Sequence, residues 1–225
     1  MKAFKNNRMR GKCASACVFI LLALFCLSLA SKGFQHQLLH QIKSTQVDEA
    51  VIQANDLREQ FLGITVLVLY ILTAIVFLFW FRRAYDNLHA LVARPAYPAS
   101  AATSAWFIPF VNIIRPYRVA ADLYEQTSAH LAEKGIAVRL SSDLLGLWWF
   151  MWLFGGVIGQ YLNYRQRIAV NIDDLLANSQ LGLLNNMFNI LSCLVFLKVI
   201  SDYRRAEASL LLLPAENAAE NTEQA

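Results

Sequence analysis

Four stretches of this chain, residues 13–31, 61–81, 144–164 and 175–197, each run for at least 19 residues without a charged side chain. A bilayer core about 30 Å thick requires roughly 20 apolar residues in a helix rising about 1.5 Å per residue, so each stretch is long enough to cross. Hydrocarbon offers a peptide group no hydrogen-bond partner, and the period-2 alternation of a barrel strand is absent. Helix is therefore the expected state of all four. The chain has 225 residues, 57% hydrophobic and 16% charged, a balance a soluble domain of this size could not keep off its surface. The reading is an all-α integral membrane bundle of four transmembrane helices.

The net charge of +4 does not point to nucleic acid, and no nucleic-acid partner is expected. The twenty Lys and Arg residues flank the apolar runs instead of gathering on one soluble face. Cys13, Cys17 and Cys26 fall in the first run and Cys193 in the last, without a C-x-x-C pair. They read as apolar fillers, with no disulfide or zinc site.

Lys2, Lys5, Arg8, Arg10 and Lys12 precede the first run, which ends in Ser28, Leu29 and Ala30, a triplet signal peptidase accepts. A cleaved leader is the rival to an uncleaved first helix. The run's 19 residues exceed a usual signal core, and an uncleaved span is the preferred reading. A fifth uncharged stretch, 95–114, is interrupted by Pro95, Pro98 and Pro109. If it crosses, Lys and Arg divide ten and ten between the two sides. If it enters and leaves on one side, they divide fifteen and five, the asymmetry that biosynthesis selects. The expectation is four spans with both termini cytoplasmic and a re-entrant or interfacial segment around 106–114; five spans is the alternative.

Outside the spans, 32–60 places Phe34, Leu38 and Ile42, then Val47, Val51, Ala54 and Leu57, at helical spacing. This predicts an extracytoplasmic amphipathic helix or helical pair. Pro116 opens a second amphipathic segment over 117–133. From 206 the chain turns Ala-, Glu- and Asn-rich and reads as a flexible tail. The organisation is thus 1–31, 32–60, a membrane domain over 61–205, and 206–225.

The third span carries Gly155 and Gly159 with Asn163 one turn on; the fourth carries Asn178, Gly182, Asn185 and Asn189. Residues at equal depth in an antiparallel hairpin share an index sum. Asn163 with Asn178, Gly159 with Gly182, and Gly156 with Asn185 all give 341. Glycines allow close approach and amides bond across, which makes helix packing the first reading of these residues; a polar groove is the second. His36 and His40 stand four apart but lack a third ligand nearby in sequence, so no metal is expected. Trp148, Trp149 and Trp152 read as a boundary anchor, with Tyr161 and Tyr164 at the other boundary. No carboxylate lies within the four runs, and no G-x-S-x-G, H-E-x-x-H or Walker sequence occurs. No catalytic residue, enzyme activity or cofactor is expected.

The core W-F-I-P-F-V-N-I-I-R-P-Y at 106–117, with F-R-R-A-Y-D-N-L at 81–88 before it and D-L-Y at 122–124 after it, resembles the bacterial membrane family catalogued as domain of unknown function 4328. The resemblance covers about 61–205. It implies a bacterial multi-span membrane protein, hence the inner membrane, and implies no activity. On the residues themselves, Pro109 breaks the segment, Asn112 can bond the carbonyls Pro109 frees, and Arg115 can reach phosphates or a helix C-terminus. A lipid-anchored turn is the first reading and a headgroup or ligand pocket using Asn112, Arg115, Asn185 and Asn189 the second. The functional expectation is a noncatalytic interaction or scaffold module in the lipid bilayer, associating with itself or with a membrane-protein partner. The alternative is a small transporter, channel or lipid-binding protein.

Overall fold

The computed structural model describes residues 4–138 and 140–212. They form six α-helices, α1 (Arg8–Ser44), α2 (Glu49–Leu91), α3 (Ala101–Ser104), α4 (Arg115–Glu133), α5 (Ser142–Ile168) and α6 (Ile172–Leu212), with a 3-10 turn at Val111–Ile113. No strand occurs among the described residues. Each uncharged run lies within one long helix, and these four helices are the ones long and apolar enough to cross a membrane.

The predicted outer segment 32–60 is a helical pair: α1 and α2 both extend past their apolar runs and meet at a short turn. Asp48 caps α2, its carboxylate accepting from the Ala50 amide at 3.0 Å, and Ser141 caps α5 by accepting from the Leu144 amide at 3.2 Å. Such caps satisfy donors that the first turn of a helix leaves unpaired. At the other end of the chain the helix outlasts its expected limit at 206. α6 continues to Leu212, and Ala206, Glu207 and Leu210 are buried. The remainder of the expected tail, 213–225, lies outside the described residues.

The helices are antiparallel neighbours in the order α2, α1, α6, α5. α1 is central: Ala14, Val18, Leu21 and Phe25 line the core, and Gly11 sits so close to Trp80 and Arg204 that a Cβ would meet both at 2.9 Å. The end of α2 and the start of α5 share one end of the bundle, where the rings of Phe77 and Trp148 lie 6.1 Å apart. Residues 92–141 therefore leave and return on the same side. Within 95–114 the helices amount to α3 and the 3-10 turn, far too short to cross. Of the eighteen described Lys and Arg residues, thirteen lie at this basic end. Lys32, Lys43, Arg58, Arg165 and Arg167 lie at the other.

The tryptophans differ from expectation. Trp148 and Trp149 are 6% and 7% exposed and belong to the core, not to a boundary belt. Trp148 stacks on Phe196 at 4.3 Å, and Trp149 on Trp152 at 4.9 Å. Residue type alone favoured the headgroup region; the partners that the returning segment 92–141 and α6 supply draw the indoles inward. Inside a bilayer, where lipid tails are as apolar as Leu, such packing is the main force holding helices together. Each aromatic pair adds about 0.5–1.5 kcal/mol.

Candidate functional site

The broken segment between α2 and α4 is built around Pro109. Its carbonyl accepts from the Val111 amide at 2.7 Å, closing a tight turn on Phe110, whose φ of 64° is the left-handed region that side chains avoid. The turn carries Phe107, Phe110, Ile113 and Ile114 on its exposed surface, while Trp106 points inward. The Trp106 ring meets Phe77, Trp149 and Trp152 edge-on at 5.6–5.8 Å. Trp149 donates from Nε1 to the Ile113 carbonyl at 3.0 Å. The segment is thus held from within by indoles and presents an apolar rim outward.

The Asn112 side chain does not bond the carbonyls near Pro109 and makes no hydrogen bond among the described residues. The Ile108 carbonyl is taken by the Asn112 backbone amide instead. Arg115 is exposed, with its guanidinium 5.9 Å from the centre of the Tyr97 ring. A cation over an aromatic face at this distance is modestly stabilised and keeps its N–H donors free.

Beneath this segment lies a polar clasp that sequence reasoning did not find. The Tyr85 hydroxyl donates to Asp122 at 2.6 Å, and the same carboxylate oxygen accepts from the Ala96 amide at 3.3 Å. The Tyr97 amide donates to the Tyr85 oxygen at 3.2 Å. A second bridge runs from α2 to both ends of the chain. Asn87 accepts from the Lys5 amide at 3.0 Å, donates to the Lys5 carbonyl at 2.8 Å, and reaches Glu207 at 3.3 Å. On α4, Tyr124 donates to the Val199 carbonyl at 2.8 Å. Burial raises the Tyr124 phenol above its ordinary pKa, which keeps it a donor. Tyr85, Asn87, Asp122 and Tyr124 all lie in the flanking motifs at 81–88 and 122–124. That grouping was the available signal.

The α5–α6 hairpin forms, but in a different register from the index sum of 341. Asn178 is buried and pairs with Arg165, accepting from Arg165 Nε and donating to its carbonyl, both at 3.1 Å. Gly155 packs on Phe188 and Asn189, with 3.5 and 3.6 Å to a notional Cβ. These contacts place the register about two residues away. Gly159 therefore does not meet Gly182: nothing lies within 4 Å of a Cβ at Gly159, and Gly182 faces Lys32 of α1 at 3.3 Å. Asn163 is exposed and does not reach Asn178. Asn185 Oδ1 is buried without a partner. Nor do the four amide and guanidinium residues share a pocket. Arg115 lies over Tyr97 at the basic end, whereas Asn189 lies against Gly155 inside the hairpin.

At the opposite end, Lys32 and Glu59 form a 2.9 Å ion pair at 23% and 14% side-chain exposure. Glu59 also accepts from the Ser31 hydroxyl, and Arg58 donates from Nε to the same hydroxyl oxygen at 2.8 Å. Desolvated charges of this kind are retained where they are paired and hydrogen-bonded. The rings of His36 and His40 touch edge-on at 4.7 Å. Among the described residues no three His, Cys, Asp or Glu groups come together as a metal site.

The fold and these clasps define an all-helical, polytopic membrane protein whose returning segment is tied to one end of a four-helix bundle. The chain belongs to the family described as Domain of unknown function (DUF4328), which it matches over residues 43–205. The matched region takes in α2–α5 and most of α6, and leaves most of α1 outside it. No curated protein and no solved structure matches the chain.

Proposed function

We propose that this protein is a noncatalytic interaction module of the bacterial inner membrane, with both termini cytoplasmic, that associates with a second copy or another membrane protein through α5. The observation that carries the reading is the outward face of that helix. Gly156, Gln160 and Asn163, spaced four and three residues apart within an uncharged run, are exposed. Neither amide side chain has a hydrogen-bond partner among the described residues, and nothing lies within 4 Å of a Cβ at Gly156. Unpaired amides at the hydrocarbon edge of a span can bond to another helix, and a neighbouring glycine lets that backbone come close. The buried polar groups elsewhere tie helix to helix, which supports a structural over a catalytic use for them. The fifteen-to-five division of Lys and Arg supports the orientation.

The test is cysteine crosslinking in native membranes, in a chain whose four native cysteines are replaced by serine or alanine. Gln160→Cys should give a crosslinked product. Val68→Cys, on the exposed face of α2, should give none. Monomer alone at both positions, with the protein correctly inserted, overturns the reading.

A further inference from the structure

A groove of about 520 Å³ opens at the basic end, between the chain leading into α5 and the last turns of α6. Its floor includes Val138 and Leu144, and its polar walls include Ser141, Lys198, Asp202 and Arg205. Lys198 lies one residue beyond the uncharged run 175–197, so the groove sits where hydrocarbon gives way to headgroups. Asp202, at 10% side-chain exposure, holds both cations: it pairs with Lys198 and lies 3.9 Å from Arg205. Lys198 donates to both Asp202 oxygens and keeps a third donor, while the Arg205 guanidinium makes no hydrogen bond to Asp202; their side chains are 56% and 76% exposed. Among the described lining residues, two positive charges against one negative leave a positive charge uncompensated.

The groove continues into the lipid-facing surface. Leu191 and Leu194 are 55% and 48% exposed, and with Lys198, Asp202 and Arg205 they are spaced three, four, four and three residues apart, along one face of α6. An apolar track thus leads to a cationic pocket at headgroup depth. We propose that this groove binds an anionic phospholipid, its phosphodiester held by Lys198 and Arg205 and an acyl chain lying along Leu194 and Leu191. The net negative charge of an anionic headgroup complements the positive charge of the described lining, which a zwitterionic headgroup does not, and paired Lys and Arg donors suit phosphodiester oxygens. The proposal is independent of association through α5.

Native mass spectrometry of the full chain in detergent, with phosphatidylglycerol or phosphatidylcholine added, tests it. The wild-type protein should retain phosphatidylglycerol in preference, and Lys198→Gln with Arg205→Gln should weaken that binding roughly 10- to 30-fold. Arg82→Gln with Arg83→Gln, at the same end but outside the groove, should leave it unchanged. If the first double variant loses helix content, Val138→Trp, which fills the floor and keeps the charges, decides instead and should also displace the lipid. Equal retention of the two lipids by the wild type overturns the proposal, as does full binding by the groove variants. Displacement by inorganic phosphate or an acidic peptide as readily as by phosphatidylglycerol would assign the cations to a ligand without an acyl chain, and would equally overturn it.

Discussion

The Tyr85 hydroxyl and the Asp122 carboxylate, 37 residues apart in sequence, meet at 2.6 Å and tie the end of α2 to the middle of α4. The carboxylate also accepts from the Ala96 amide, so the loop leaving α2 is held at the same point. Tyr85→Phe should cost about 1–3 kcal/mol, since it removes the donor to Asp122 and strands the Tyr97 amide. Asp122→Ala should cost a similar amount, about 2–3 kcal/mol, because it strands the Tyr85 hydroxyl and the Ala96 amide. Thermal unfolding in detergent measures both, and the double variant should fall short of the sum. Strict additivity would show that the two groups do not act together.

Trp106 fills the space among Phe77, Trp149 and Trp152. Trp106→Ala should destabilise by about 3–5 kcal/mol. Because this ring holds the broken segment inward, the change should also make the bonds after Phe107 and Phe110 more open to chymotrypsin. A loss of stability with no change in cleavage would mean the segment is held elsewhere.

The far-end ion pair is asymmetric in its consequences. Glu59→Ala leaves Lys32 without its anion and also removes an acceptor from Ser31, and should cost about 2–3 kcal/mol. Replacing Lys32 and Glu59 together by Met and Leu should recover much of that loss, because desolvation of both charges is then avoided. If the single and double changes are equally damaging, the pair does more than neutralise charge.

A returning segment predicts that alkaline phosphatase fused after Ala129 is inactive, while the same enzyme fused after Ser44 is active. High activity at Ala129 would mean that the basic end faces outward.

The central place of α1 predicts that the mature protein keeps its first 31 residues. Removing them would take away Ala14, Val18, Leu21 and Phe25, each at most 8% exposed. Peptide mapping of protein purified from native membranes should find residues 1–30 still joined to the rest of the chain. A shorter species beginning at Ser31 would show cleavage after Ala30.

The sequence by itself determined the number of long helices and the apolar core of each, and favoured a segment at 95–114 that does not form a fifth; α1 and α2 run twelve or more residues past those cores at their shared turn. Those properties depend on one-dimensional quantities: how long a run lacks charge, where proline removes a donor, and how Lys and Arg divide between the flanks. It also marked the motifs at 81–88 and 122–124 without saying what joins them. Only the tertiary structure decided that Tyr85 meets Asp122, that Asn87 bridges Lys5 and Glu207, and that Lys32 pairs with Glu59 across 27 residues. The same holds for the hairpin, where Arg165 with Asn178 replaced Asn163 with Asn178 and turned Gly182 toward Lys32. A glycine or asparagine fits several faces equally well. Which face it occupies is set by how each helix is rotated and shifted along its neighbours, and that follows from all the side chains packing at once. Trp148 and Trp149 went to the core by the same logic, since the rings that receive them come from α2, α6 and the returning segment.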